Sequence, residues 1–112
     1  MQPEAKKYLQ DMLQAIKSIA SYFPDGYNFK HYLENQMRRR AVERELEIIG
    51  EAMNRLLKLR PDIDIPEAKR VIALRNRVIH GYDSVDNVLV WAVVVNHLPT
   101  LNDKLERLLL ES

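Results

Sequence analysis

The sequence predicts an all-α protein, an antiparallel bundle of four to five helices, on three observations. Only three of the 112 residues are glycine, and Leu, Glu, Arg, Lys and Ala recur throughout. Apolar residues return in steps of three and four along most of the chain, the period of an amphipathic helix. Helix breakers fall at a few discrete places: Pro24-Asp25-Gly26, residues 61–66, Gly81 and Pro99. A chain of this length is expected to form one domain over residues 1–112, with no room for a second core.

The first helix runs from Glu4 to Phe23, with Ala5, Tyr8, Leu9, Met12, Leu13, Ile16, Ile19, Ala20 and Phe23 forming its apolar stripe. Pro24-Asp25-Gly26 ends it. A second helix is expected from Phe29 to Leu59, with Asn28 placed to cap it. Unbroken, it would be about 45 Å long, more than a bundle of this mass needs, so it either bends or projects into a partner. Pro61 and Pro66 bracket a short connector, and Pro66 suits the first turn of a third helix ending near His80. Gly81 fits the left-handed position that follows a helix end. Ser84 reads as the cap of a fourth helix, with Asp86 favourable in its first turn. There Val85, Val88, Leu89, Trp91, Ala92, Val93, Val94 and Val95 cover nearly the whole circumference, which calls for burial by this chain or by another copy. Pro99 kinks or breaks that helix, and Leu101, Leu105, Leu108 and Leu109 carry a last one to the C-terminus. Self-association follows as an expectation.

Composition narrows the function classes. There are no cysteines, which removes disulfides, thiolate metal sites and cysteine nucleophiles, and an intracellular, cytoplasmic address fits. The opening MQPEAKKYLQ does not read as a signal peptide, and the longest apolar run, Val88 to Val95, is far short of a membrane span. Seventeen basic and sixteen acidic residues nearly cancel, so any contact with nucleic acid must be local. The three histidines, His31, His80 and His97, are scattered, with no pair spaced as in HExxH, and no metal or cofactor is expected. His97 reads as a helix-end residue and His31 as a solvated one.

Two stretches concentrate charge chemistry. Arg38-Arg39-Arg40 is the densest positive run; it reads as a solvated helix face, with Arg39 and Arg40 within helical reach of Glu43, or as a nucleic-acid contact. The stretch LRNRVIHGY, residues 74–82, sets two arginines, an asparagine, a histidine and a tyrosine around a glycine. Arg75 offers a rigid fork of donors suited to phosphate oxygens. His80 can give or take a proton where an RNA strand breaks, the 2′-hydroxyl serving as nucleophile. On a straight helix the two side chains stand about 140° apart, and one histidine cannot easily act as base and acid on opposite sides of the phosphorus. Two chains meeting here would supply two of each. The plain alternative is a helix end whose cations complement the helix dipole.

Residues 75–82, RNRVIHGY, resemble the Arg-x4-His-x-Tyr signature of HEPN-domain proteins, in particular the HepT-like ribonuclease toxins. Ala41-Val42 with Leu46-Glu47-Ile48-Ile49-Gly50-Glu51-Ala52, and Trp91 with Leu98-Pro99 and Leu101, are similar to further blocks of that family in the same order. The resemblance implies a HEPN-like homodimer acting as a metal-independent endoribonuclease, with Arg75 and His80 catalytic and Asn76 in support. It implies an RNA substrate and a nucleotidyltransferase antitoxin that attaches AMP to Tyr82. The chain departs from the family at Glu67, which stands where a tryptophan often follows the second proline, and Asp83 and Asp86 add acid near the motif. A reading from a different class is a helical dimer that binds a nucleotidyltransferase subunit or RNA and cuts nothing; the near-neutral charge favours it.

Overall fold

A computed structural model describes residues 1–80 and 86–111 of the chain. The expectations placed on Gly81, Tyr82, Asp83, Ser84 and Val85 lie outside the described residues. Elsewhere the chain is helical: α1 Pro3–Ser21, α2 Phe29–Glu34, α3 Gln36–Leu59, α4 Ala68–His80, α5 Asn87–Asn96 and α6 Leu98–Leu110. That is six segments among the described residues where four to five helices are expected, because the anticipated Phe29–Leu59 helix is two. The all-α bundle itself is as expected.

α1 starts on Pro3, whose missing N–H costs nothing in a first turn. It ends at Ser21, and in the turn that follows Gly26 takes φ +97°, a conformation that a residue with a Cβ rarely adopts. Asn28 caps α2 as expected, its side chain accepting from the His31 N–H at 3.1 Å. The expected continuous helix fails at Asn35. This residue is extended, at φ −116° and ψ 103°, and its side-chain oxygen accepts from the Arg38 N–H at 2.9 Å, starting α3 afresh. The break leaves carbonyls at the end of α2 without helical partners. Arg38 donates to the His31 carbonyl at 3.4 Å, and Arg39 donates to the Leu33 carbonyl. Arg38 also lies over the Phe23 ring, 5.2 Å from its centroid.

The arginine run is therefore neither a row of pairs with Glu43 nor a free cationic face: two of its three members tie off a helix end. Glu43 makes no ion pair with Arg39 or Arg40 among the described residues. Burial pushes its carboxyl up, against the opposing pull of Arg40 and Arg39. The folded state thus takes up this proton more readily than the unfolded chain and loses stability as pH rises through the carboxylate range. Glu43→Gln is expected to melt higher than the wild type at pH 7, with the gain gone at pH 3. Asn35→Ala, which removes the cap, is expected to cost about 1 kcal/mol in urea denaturation.

α3 is the central element and packs most extensively on α1 and α4, while α6 closes against α1 and α5. Leu9, Met12 and Ile19 of α1 meet Leu46, Ile49, Met53 and Leu56 of α3 and Leu98, Leu101 and Leu105 of α6 in one buried cluster. A second knot is aromatic. Trp91 of α5 lies 5.1 Å from the Phe23 and Tyr32 rings and 5.6 Å from Tyr27, centroid to centroid, anchoring α5 onto α2 and the end of α1. The Tyr32 hydroxyl reaches the Asn87 side-chain oxygen at 3.3 Å.

Two further boundaries differ from expectation. The third helix begins at Ala68, so Pro66 lies in the preceding turn, with the Ala68 N–H donating to the Ile65 carbonyl at 3.0 Å. α5 begins at Asn87 under an Asp86 cap, whose side chain accepts from the Leu89 N–H at 3.1 Å. Nor is α5 buried all round by its own chain. Val90, Val93 and Val94 are buried, whereas Val88 is 68% and Val95 38% exposed. Pro99 sits in the first turn of α6 and marks the expected break. No helix among the described residues is long and apolar enough to cross a membrane.

Candidate functional site

The singled-out stretch is the second half of α4. Its first charged residue, Arg75, faces α3 at the one point where that helix carries a buried glycine, Gly50. A Cβ on Gly50 would overlap the Arg75 Cβ, stand 2.7 Å from its Cγ and lie 3.1 Å from the Val71 carbonyl oxygen. Glycine here lets the two helices approach closely enough for the Arg75 stem to cross α3.

Beyond the crossing, the guanidinium is held on two sides. Arg75 Nη2 pairs with Glu51 Oε2 at 2.9 Å, and Nη1 donates to Asn76 Oδ1 at 3.2 Å. The buried Nε has no hydrogen-bond partner. Glu51 is shared, because its other oxygen accepts from Arg55 Nε at 2.8 Å. The Arg55 hydrogen bond, then the Arg75 charge, holds the Glu51 carboxyl below the usual carboxylate range. Among the described residues the guanidinium donates one hydrogen bond, to Asn76, and holds Glu51 as an ion pair, so N–H groups on its terminal nitrogens are left for another acceptor. Those are the atoms a phosphate could take.

Arg75 opens into a groove of about 430 Å³ between α1, α3 and α4. Four carboxylates, of Glu4, Asp11, Glu47 and Glu51, face four cations, of Lys7, Arg44, Arg55 and Arg75. Within one chain this groove offers no net attraction for an anion. His80, the last residue of α4, is exposed and is not among the groove's lining residues. The structure thus places Arg75 and Asn76 together, and leaves His80 on a different side of the same helix. Tyr82 lies outside the described residues.

One arrangement has little warning in the sequence. Glu67, at the position where the resemblance leads one to expect tryptophan, is 14% exposed in its side chain and joins two partners. Arg70 Nη1 pairs with Glu67 Oε2 at 3.0 Å, and His97 Nδ1 lies 3.2 Å from the same oxygen. Arg70 Nη1 and His97 Nδ1 are themselves 3.0 Å apart. The Glu67–Arg70 spacing of three residues was the available signal; the reach to His97, between α5 and α6, is purely tertiary. His97 is a helix-end residue as expected, and His31 is exposed. Among the described residues no three His, Asp or Glu side chains group as metal ligands.

Comparison with known proteins bears on the whole chain. A family model described as ribonuclease HepT-like matches residues 12–108. A Thermococcus cleftensis protein named as a probable ribonuclease HepT is 36% identical, over 96% of this chain and 98% of its own length. A Methanocaldococcus jannaschii protein with a provisional RNase name is 31% identical over 92% and 94%. A third, from Caldanaerobacter subterraneus and also provisionally named an RNase, is 28% identical over 93% of each chain. No solved structure matches the chain.

Proposed function

The chain belongs to the ribonuclease HepT-like family, and on that premise we propose that it is a metal-independent endoribonuclease, the toxin of a toxin–antitoxin pair. The observation that carries the reading is the Arg75 guanidinium, which Gly50, Glu51 and Asn76 fix in place with N–H groups to spare. In a homodimer that joins the ends of two α4 helices, two copies of Arg75 and two of His80 would line one crevice. One His80 takes the proton from the ribose 2′-hydroxyl as its oxygen bonds to phosphorus. The bond to the 5′-oxygen breaks, and the second His80 protonates that leaving oxygen, giving a 2′,3′-cyclic phosphate and a 5′-hydroxyl. Arg75 stabilises the charge that builds on the phosphoryl oxygens, and Asn76 keeps its guanidinium turned.

Control would fall on Tyr82. A nucleotidyltransferase antitoxin that attaches AMP to this phenol would put negative charge and bulk two residues from His80 and repel the RNA phosphate. Mass spectrometry of the protein expressed alone and together with such a nucleotidyltransferase tests this directly. One or more added adenylates mapping to Tyr82, absent from Tyr82→Phe, are the expected result; an unmodified protein from the co-expression would remove the regulatory half.

A second reading has a specific observation behind it. Glu51 already occupies Arg75, and the carboxylates of the groove match its cations, so Arg75 can be a buttress between α3 and α4 in a helical dimer that only binds a nucleotidyltransferase subunit or RNA. RNA left intact after long incubation in excess EDTA at high protein concentration would favour that reading over the first.

A further inference from the structure

We propose that the groove between α4 and α5 is a binding track for the phosphates of single-stranded RNA, leading along α4 towards His80. This inference rests on the ribonuclease reading for its substrate and goes beyond it in placing the strand outside the reacting centre. The groove measures about 560 Å³. Its rim carries Lys69, Arg70, Arg77 and His97, and no carboxylate is among its lining residues. The contrast with the Arg75 groove, where acids and bases cancel, is the first argument. Glu67 balances Arg70 from behind, and Lys69 and Arg77 remain as cations without a carboxylate partner among the described residues; in a chain with almost no net charge, that local excess is what binding of a polyanion requires.

The second argument is the construction of the site. Lys69 and Arg77 are exposed and have no carboxylate partner among the described residues. Arg70 and His97 are instead fixed by Glu67, which sits behind them, so the two are turned to the groove in a set orientation. Between the cations the floor is apolar, formed by Ala73, Leu74, Leu89, Ala92 and Val93. Cations on a rim over an apolar floor suit a strand whose phosphates are charged and whose base faces are not.

Direction is the third argument. Lys69, Ala73 and Arg77 follow one another at four-residue steps, one stripe of α4. Ala73 and Arg77 each stand about 160° from Arg75 around the helix, whereas His80 stands about 60° from Arg77. From Lys69 to His80 the stripe covers about 16 Å of axis. The track therefore ends at the histidine and not at the arginine. A strand lying in it would deliver its next phosphate to His80, and Arg75 would have to come from the facing subunit.

The test uses the full chain and a fluorescein-labelled 12-nucleotide single-stranded RNA, with anisotropy titrations between 50 and 200 mM salt. Lys69→Gln/Arg77→Gln keeps part of each aliphatic stem and removes both charges; Lys17→Gln/Arg107→Gln, on α1 and α6, is the charge-matched control. The track predicts that the first pair binds about tenfold more weakly at 100 mM salt and that its log–log salt slope is shallower by about 1.4, two phosphate contacts at 0.7 each for a single strand. The control pair keeps the wild-type slope. Equal slopes in all three proteins, each melting like the wild type, would overturn the track. Loss of a co-purifying protein with RNA binding unchanged would do the same, assigning the groove to a protein partner. The two readings separate cleanly: wild-type protein that binds with the predicted slope difference but cuts nothing refutes the ribonuclease and keeps the track, and cleavage with equal slopes does the reverse.

Discussion

His80→Ala is expected to lower RNA cleavage in excess EDTA at least a hundredfold, and Arg75→Ala to lower it by a factor of about 10² to 10³. In the proposed mechanism the two losses have different physical sources. A dimer of His80→Ala has no group to move either proton, so both bond making to phosphorus and departure of the 5′-oxygen lose their catalyst. Arg75→Ala removes donors aimed at charge that develops only in the transition state, and Arg75→Lys is not a conservative replacement, because an ammonium cannot keep Asn76, Glu51 and a phosphate on one planar fork. Glu51→Gln separates catalysis from support. If Glu51 only orients Arg75, the variant retains most cleavage; if it competes with substrate, cleavage rises and KM falls. Full activity in both His80→Ala and Arg75→Ala would end the enzymatic reading. An inactive Arg75→Ala that also melts much lower would point to the buttress instead, which is why melting must be recorded beside each rate.

The class of fold was legible because helical periodicity is local and repeats over many residues. The stripe from Ala5 to Ala20 becomes α1, with Phe23 falling two residues past its end, and Pro99 lies in the first turn of α6, as a reader of spacing would expect. What escaped were events decided by single polar side chains. Asn35 sits amid a pattern that continues on both sides, and only its capping bond to the Arg38 N–H divides the helix. The arginine run was legible as charge but not as a closure for α2, since that use exists only once the break does. At the site, side-chain chemistry singled out Arg75 and His80, the resemblance added Asn76 and Tyr82, and the 140° between the first two was already visible. Not visible was that Arg75 would face α3 through Gly50 while Lys69, Arg70 and Arg77 lined a separate groove with His97. Those pairings join residues 20 and more positions apart, beyond the reach of any local pattern.

Gly50→Ala is expected to destabilise the fold by about 2 kcal/mol or more and to lower the melting temperature by about 10 °C. On helix propensity alone the change would help, by roughly 1 kcal/mol, because Gly50 lies well inside α3. The added methyl has nowhere to go. It meets the Arg75 stem and the Val71 carbonyl, and neither a Cβ nor a backbone oxygen can rotate aside, so α3 and α4 must separate. Separation also breaks the geometry between Glu51 and Arg75, and a shift of 1 Å at a positioning group costs on the order of a hundredfold in rate. Activity measured well below the melting transition should therefore fall too. Arg75→Gly supplies the control, since it removes the atoms that collide: introducing Gly50→Ala into that background should cost clearly less than in the wild type. Arg75→Ala should give no such relief, because its Cβ stays. Equal penalties in all three backgrounds, or an unchanged melting temperature for Gly50→Ala, would mean that the helices are not held together at this crossing and that Arg75 is not placed by it.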